Sequence, residues 1–335
     1  MFGSARDLAP PAAPLALAGG RDRLGALATA FLVYVVFVIL FGAVVRITGS
    51  GAGCGQNWPT CHGEIAHIPQ SVETVIELTH RVTSGLSLLF SIGFLVLVRR
   101  AFEPGHPARL GAWLSLAFLV SESLVGAALV LLALVGDNSS ASRAVVMAFH
   151  LLNTSLLTAA IVYARATILD GEPRALANLI RASLRRENLF IAIGGLLLLL
   201  VSAFGAVTAL GDTLYPIQEG HGSASVVSSA FTPGDHFLDR LRGIHPLTAL
   251  ASALFLFWTL GAREGRDRPR KHVLLWLTLQ MALGVLNVYL RAPAVMQVVH
   301  LAVATFLWIA WCWFGYVELS AALDSEPGRG KATLS

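Results

Sequence analysis

The chain has 335 residues, of which 55% are hydrophobic and only 13% are charged, and its mean hydropathy is +0.69. A soluble domain carries about twice that charged fraction, so the composition excludes an ordinary soluble protein. The net charge of +4 does not indicate a nucleic-acid partner, and we expect none. The apolar residues form long runs, which are typical of a polytopic membrane protein.

The chain begins with 24 residues rich in Ala and Pro that lead directly into an apolar run. No cleavage site follows a short apolar stretch, so we interpret residues 1–24 as a disordered cytoplasmic tail and not as a removable signal peptide. Eight spans of about 20 residues follow, each long enough to cross a bilayer. Their approximate bounds are 25–46, 74–98, 110–135, 144–168, 189–210, 242–262, 272–291 and 295–319.

The basic residues predict which side of the membrane each loop occupies. With the amino terminus placed in the cytoplasm, the segments on the inner side hold 18 of the 24 Lys and Arg residues. Because positively charged segments stay on the cytoplasmic side, both termini are expected there.

The first outer loop contains Cys54 and Cys61, two of the three cysteines. An outer compartment is oxidising, and two exposed thiols so close in sequence tend to oxidise, so we expect a disulfide. Two free thiols are the alternative. Cys312 lies inside the last span and is expected to be a small buried apolar residue.

The second half of the chain repeats the first. FGAVVRITG at 41–49 corresponds to FGAVTALG at 204–211, and both stretches close the first span of a half. The next three spans of each half carry matched polar residues, which are His80 and His245, Glu122 and Gln280, and His150 and His300.

Four spans return the chain to the side on which it started, so the two halves would be related by an axis along the membrane normal. We therefore predict an all-α membrane protein of eight transmembrane helices arranged as two pseudo-symmetric four-helix bundles. The bundles would comprise residues 25–170 and 189–319, with a cytoplasmic linker at 171–188 and a cytoplasmic tail at 320–335.

Four histidines lie inside apolar spans, each within about seven residues of the outer end: His80, His150, His245 and His300. A ring nitrogen in lipid is costly unless something binds it, and haem iron takes two such ligands from opposite sides. The simplest pairing is within each half, and pairing across the halves is the alternative. Four unrelated imidazoles hydrogen-bonded across helices would explain the histidines without a cofactor.

Haem is favoured over a bare metal ion because no carboxylate–His or Cys–His cluster has the spacing of a zinc or di-iron site. The remaining histidines lie in loops or at span ends and are interpreted as ordinary: His62, His67, His106, His221, His236 and His272.

Two carboxylates lie near the amino-terminal histidine pair. Glu77 is one helical turn before His80 and is a candidate proton-handling group, with pairing to Arg81 as the alternative. The aligned position in the second half is Arg242, so we expect an acid near one histidine pair and a base near the other. Glu122 is expected to be hydrogen-bonded, as Gln280 would be in the second half.

Four arginines on the outer side run against the charge bias: Arg46, Arg81, Arg242 and Arg291. They are candidates for binding haem propionates through charge-assisted hydrogen bonds, and lipid phosphates are the alternative ligands.

The stretch VRITGSGAGCGQNWPTCHG, followed by ELTHRVTSG and the repeated His-bearing spans, resembles the haem A synthase family. The resemblance covers about residues 25–319. Two departures are visible, because loop 211–240 lacks the second cysteine pair of some members and Glu122 stands where Gln is expected.

The resemblance implies an oxidoreductase that converts the C8 methyl of haem O to a formyl group by successive hydroxylations. It implies that His245 and His300 ligate the iron of a haem b cofactor and that His80 and His150 bracket the iron of the substrate haem. Glu77 matches the essential acid of the family, so Glu77, His80 and His150 are the implied catalytic residues. Cys54 and Cys61 match its first-loop cysteine pair.

The implied location is a bacterial-type inner membrane, with both termini cytoplasmic and the haem sites near the outer face. The implied partners are haem O, membrane lipid, a haem O synthase and an electron donor. A dihaem cytochrome b that only transfers electrons, and a haem carrier without chemistry of its own, remain alternatives.

Overall fold

The computed structural model describes residues 18–216, 236–262 and 267–325. Within these ranges the chain forms nine α-helices and one short 3-10 helix at Ser50–Ala52, without any named strand. Eight of the helices are long and apolar enough to cross a membrane. The helices are α1 (Ala18–Ile47), α2 (Val72–Ala101), α3 (Pro107–Leu131), α4 (Ala141–Leu169), α5 (Leu176–Ser183), α6 (Leu189–Leu214), α7 (Phe237–Gly261), α8 (Asp267–Tyr289) and α9 (Ala294–Asp324).

The eight predicted spans are confirmed, but several helices extend beyond them. Residues 18–24, expected in the disordered tail, are the first turns of α1, residues 320–324 belong to α9, and the predicted linker contains α5. A helix of 30 residues is about 45 Å long, which exceeds the hydrocarbon layer, so its ends reach water and tolerate charged residues. The other tail residues, 1–17 and 326–335, and most of loop 211–240 lie outside the described residues.

Polar side chains accept hydrogen bonds from free N–H groups at four helix starts, of which one is α7, where His236 Nδ1 accepts from the Leu238 N–H. The Ser71 hydroxyl accepts a hydrogen bond from the Thr74 N–H at the start of α2, at 3.2 Å, and Ser140 does the same for the Arg143 N–H at the start of α4. At α3 the cap is His106, whose Nδ1 accepts from the Ala108 N–H. These caps fix where the long helices begin after their loops.

Helix contacts run around a ring in each half. In the first half α1 packs on α2, α2 on α3, α3 on α4, and α4 again on α1. In the second half α6, α7, α8 and α9 form a corresponding ring. The two histidine-bearing helices of each half therefore lie diagonally across their ring, with one helix on either side.

A close helix approach in the first half involves Gly111 of α3. A Cβ at this position would lie 2.7 Å from the Cα of Ala164 on α4. Neighbouring positions on the same face of α3 are also small and buried, namely Ala108, Ala112 and Ser115. Because lipid does not drive helices together as water does, such close backbone packing is a main source of their association.

The two halves meet along α4. This helix contacts α1 and α3 in its own half and α6 and α9 in the other. The Trp308 indole N–H on α9 donates to the Ser155 carbonyl on α4 at 2.7 Å. Arg46, at the end of α1, donates to the Ala209 carbonyl and the Thr213 hydroxyl on α6, and to the Gln297 side chain on α9.

Candidate functional site

The four span histidines lie near one end of the helix assembly. Each is six to nine residues from the first residue of its helix, which corresponds to about 9–14 Å along the axis. We call this the loop end, because the helices there are joined by residues 48–71. The loop end also contains the carboxyl ends of α1, α3, α6 and α8, so groups from all eight spans converge there.

The histidines that we predict to pair within each half lie on opposite helices of one ring. His80 lies on α2 and His150 on α4, and His245 lies on α7 and His300 on α9. Each predicted pair therefore belongs to two diagonally opposed helices.

Three of the histidine rings lie against a glycine. A Cβ on Gly42 would be 3.2 Å from Cε1 of His80, and one on Gly205 would be 3.1 Å from Cε1 of His245. Gly284 stands in the same relation to His300, at 3.4 Å. At Gly42 and Gly205 a Cβ would require the ring to shift by a few tenths of an ångström, whereas 3.4 Å at Gly284 is close to an ordinary contact.

The Nδ1 atoms of all four histidines are buried and make no hydrogen bond. An acceptor lies near two of them without hydrogen-bond geometry, namely the Glu122 carboxylate for His150 and the Val201 carbonyl for His245. Buried polar atoms in proteins are normally paired, so the Nδ1 atoms of His80 and His300, which have no such acceptor, are unusual.

Glu77 is buried and ties the first loop to α2. Its Oε2 accepts from the Cys54 N–H at 2.7 Å, and its Oε1 accepts from the Arg81 guanidinium. Arg81 in turn donates to the carbonyls of Asn57 and Thr60 at 2.6 Å. Glu77 is thus paired with Arg81, as the alternative interpretation of the sequence proposed.

Cys54 and Cys61 form the predicted disulfide, and both are buried. The Thr74 hydroxyl on α2 donates to the Gly53 carbonyl at 2.7 Å. The disulfide loop, residues 53–61, is therefore held directly above the start of the helix that carries His80.

We expected an acid near the histidine pair of the first half and a base near that of the second half, and the structure adds an acid beside the base. Arg242 is buried beside Asp212 of α6, with 2.8 Å between Nε and the carboxylate, and it donates to the carbonyls of Gly211 and Tyr215. The second half therefore also has an acid at this end. Aligning the two repeats did not reveal this acid, because Asp212 lies on α6 and not on the helix that carries Arg242.

The four candidate propionate arginines differ in their surroundings. Arg46, Arg81 and Arg242 each donate to protein acceptors, as described above. Arg291 lies in the turn between α8 and α9 with a positive φ of 62°. A fifth arginine, Arg143, is buried at the start of α4, where it donates to the carbonyls of Gly136 and Asn138.

Glu122 of α3 contacts three residues on one face of α4. Its Oε2 accepts from the Asn153 amide at 2.6 Å, and its Oε1 accepts from the Thr154 hydroxyl. The same Oε1 is 3.1 Å from Nδ1 of His150. These partners occupy positions i, i+3 and i+4 of α4, which is the spacing that places side chains on one helical face.

The corresponding place in the second half has a different chemistry. Gln280 of α8 contacts the other ring nitrogen of its histidine, with 2.9 Å between Gln280 Nε2 and Nε2 of His300. The residues three and four positions after His300 are Val303 and Ala304, which have no side-chain donors. The amide oxygen of Gln280 is buried without a partner.

Sequence reasoning missed the three glycines opposite the histidines and the partners of Glu122. The glycines had a visible signal, because Gly42 and Gly205 are the second residues of the repeated FGAV motif. No pattern in the sequence indicated that Cys61, His62 and His67 gather within 4.8 Å in the first loop. Cys61 is already bonded to Cys54, which leaves two imidazoles in that group.

Comparison with known proteins places this arrangement in a family. Residues 25–312 match the COX15-CtaA family, described as cytochrome oxidase assembly protein. Proteins named protoheme IX farnesyltransferase, from two strains of Thermus thermophilus, are each 42% identical over 317 residues, which is 92% of this chain and 51% of theirs.

The chain therefore spans about half the length of these two relatives. A protein of Bacillus cereus strain AH187 named heme A synthase is 42% identical over 96 residues, covering 29% of this chain and 31% of its own. The match over most of the spans, together with the shared region of the haem A synthases, confirms the resemblance that the first loop indicated: the chain belongs to the COX15-CtaA family.

Proposed function

We propose that this protein is a haem A synthase, which oxidises the C8 methyl of haem O to a formyl group by successive hydroxylations. The observation that carries the proposal is the presence in each half of two half-buried imidazoles on diagonally opposed helices of one ring. Family membership and the named Bacillus relative support the same reaction.

The residues of the second half fit a resident haem b. His245 and His300 would hold its iron, and Gly205 and Gly284 leave room beside their rings. His300 would exchange its contact with Gln280 for the iron. When bound, a haem with two imidazole ligands has no open coordination position, so it supplies electron transfer.

The residues of the first half fit the substrate haem. His80 and His150 would bracket its iron, which fixes the macrocycle relative to the loop end. Glu77 is one turn from His80 and is held by Arg81 and by the Cys54 amide. We assign it the handling of protons near the reacting methyl group, for which a carboxylate in a fixed, buried position is suited.

The disulfide loop would close the substrate site at the loop end. It is joined to α2 through Glu77, Arg81 and Thr74, so it would exclude water from the space above His80. Arg46, Arg81, Arg242 and Arg291 remain candidates for propionate binding, each with the further contacts described above.

The domain organisation that we propose follows the sequence repeat: an amino-terminal substrate bundle, residues 25–170, and a carboxy-terminal haem b bundle, residues 189–319. The charge bias supports a location of the loop end on the outer side of a bacterial-type inner membrane, with both termini cytoplasmic. A haem O synthase would supply the substrate, and a separate donor would supply electrons.

The most direct test is the mass of the haems bound to purified protein co-produced with a source of haem O. Haem b together with haem O, an intermediate alcohol or haem A is the expected result. Two molecules of haem b per chain, with no modified haem, would instead support a dihaem cytochrome, because the same histidine pairs could ligate two haem b irons. Unmodified haem O that is bound and released would indicate a carrier.

The names of the Thermus relatives add one more outcome. If the protein given haem b and a farnesyl donor produced haem O, prenyl transfer would replace oxidation as its activity.

Two variants assign the residues. His245→Ala is expected to remove resident haem b and haem A formation together, and haem A made in cells by this variant would contradict the cofactor assignment. Glu77→Gln is expected to keep both haems but lose most of the haem A yield, since the amide cannot take up a proton. Normal yield from Glu77→Gln would remove this residue from the mechanism.

A further inference from the structure

Glu122 and its surroundings distinguish the two histidine pairs more sharply than any other feature of the described residues. A carboxylate in the first half is replaced by an amide in the second. The two donors that satisfy the carboxylate, Asn153 and Thr154, are replaced by Val303 and Ala304. The carboxylate and both of its donors are thus present in the first half and absent from the matched positions of the second, which indicates a specific role for the carboxylate in the first half.

The carboxylate meets its histidine at a particular atom. Oε1 of Glu122 lies 3.1 Å from Nδ1 of His150, so a small rotation of the ring would let the Nδ1–H donate to it. A proton held on Nδ1 leaves the lone pair on Nε2, which is the nitrogen then available to iron. In the second half, Gln280 instead contacts Nε2 of His300, and His300 Nδ1 has no acceptor.

We propose that Glu122 is the positioning residue of the amino-terminal haem site, acting through His150. It fixes the tautomer and orientation of that ring and makes His150 a more basic ligand than His300, its counterpart in the second half. This inference rests on the proposed function only in that it takes the histidine pair to be an iron site. Carboxylate partners of metal-bound histidines act in this way in other proteins, and their loss typically costs about 10–100-fold in metal affinity or activity.

The environment of Glu122 supports a carboxylate role over mere packing. Asn153 and Thr154 are both buried, and they donate to different oxygens of the same carboxylate. Asn153 also donates to the Phe118 carbonyl at 2.9 Å, which fixes its amide group. The carboxylate is therefore anchored on both sides and presents Oε1 to His150 in one orientation.

The test uses full-length protein in which His245→Ala and His300→Ala leave only the amino-terminal pair, titrated with haem b. Glu122→Gln should weaken haem binding about 10–100-fold. It should also shift the midpoint potential of the bound haem upward, because a neutral acceptor makes His150 a weaker electron donor. The control is Ser123→Ala on the same helix, where the hydroxyl bonds only to its own helix at the Leu119 carbonyl.

A second variant tests the sign of the effect. Thr154→Val preserves the side-chain shape and removes one donor from the Oε1 that faces His150. Without the Thr154 hydroxyl, more of the negative charge on Oε1 is available to His150. The midpoint potential of the bound haem should therefore shift downward, which is opposite to the shift expected for Glu122→Gln. A purely structural role for Glu122 would lower the yield of protein without moving the potential of the haem that still binds.

The outcomes separate this inference from the proposed function. If the background protein binds haem b through both histidines, but Glu122→Gln and Thr154→Val leave its affinity and potential as in Ser123→Ala, the role of Glu122 is overturned and the haem site stands. If the background protein binds no haem at all, the histidine pair is not an iron site and the proposed function itself fails.

Discussion

Replacing Gly111 by Ala should separate α3 from α4 and destabilise the first half. The added Cβ would lie 2.7 Å from the Cα of Ala164, and the next nearest atoms are Cβ and backbone N of the same residue. Carbon atoms in favourable contact are about 3.5–4.0 Å apart, so the helices would have to move apart by about 0.8–1.3 Å. Neither side can yield by rotating a side chain, because the opposing atoms belong to the backbone or to Cβ.

The expected cost of this overpacking is about 1–3 kcal/mol in the free energy of unfolding. Part of it is masked, because Gly→Ala within a helix gains about 1 kcal/mol of helix propensity. Gly93→Ala on α2 is the matched control, since a Cβ there meets no atom within 4 Å. The difference between the two variants therefore isolates the packing cost.

The assay is unfolding in detergent, with helix content followed by circular dichroism as a denaturing detergent is added. Gly111→Ala should unfold at the lower denaturant fraction, by the equivalent of about 1–3 kcal/mol relative to Gly93→Ala. Because α3 and α4 also hold Glu122 against His150, haem binding in the first half should weaken in the same variant. Equal stability of the two variants would refute the close-packing argument.

Three further changes test the loop and the junction between the halves. Cys54→Ser with Cys61→Ser opens a loop with a sequence separation of 7, which should lower stability by about 2.5 kcal/mol, and a thiol reductant should reproduce the loss in the wild-type chain but not in the variant. Arg46→Gln removes charged hydrogen bonds between the halves and should cost about 1.5–3 kcal/mol in detergent unfolding, whereas Arg100→Gln at the exposed carboxyl end of α2 should change stability by less than about 0.5 kcal/mol. Ser71→Ala removes the cap of α2 and should cost about 1 kcal/mol, visible as faster amide exchange in the first turn of that helix.

The eight spans were predictable, and the histidines inside them recognisable, because each leaves a strong local signal. A run of about 20 apolar residues has few alternatives to a membrane helix, and an imidazole in such a run stands out against it. The repeat then showed that His80 occupies the same position in the first half as His245 in the second, and His150 the same position as His300. The order of elements in each half was thus available from hydropathy and from matched positions alone.

What could not be predicted depends on contacts between helices. The partners of Glu122 lie about 30 residues away on α4, and Asp212 reaches Arg242 from the preceding helix. A linear repeat shows which positions correspond but not which side chains meet. Helix ends were also extended, at Ala18 and Asp324, because charged turns outside the hydrocarbon layer give no hydropathy signal.

The position of α4 has a consequence for how the protein is assembled. This helix is covered by neighbours from both halves, yet α6 and α9 are synthesised after it. Until those segments have left the ribosome, one side of the helix that bears His150 faces lipid instead of protein. The junction between the halves is therefore completed only when the last helix has been inserted, after the four helices of the first half are already present.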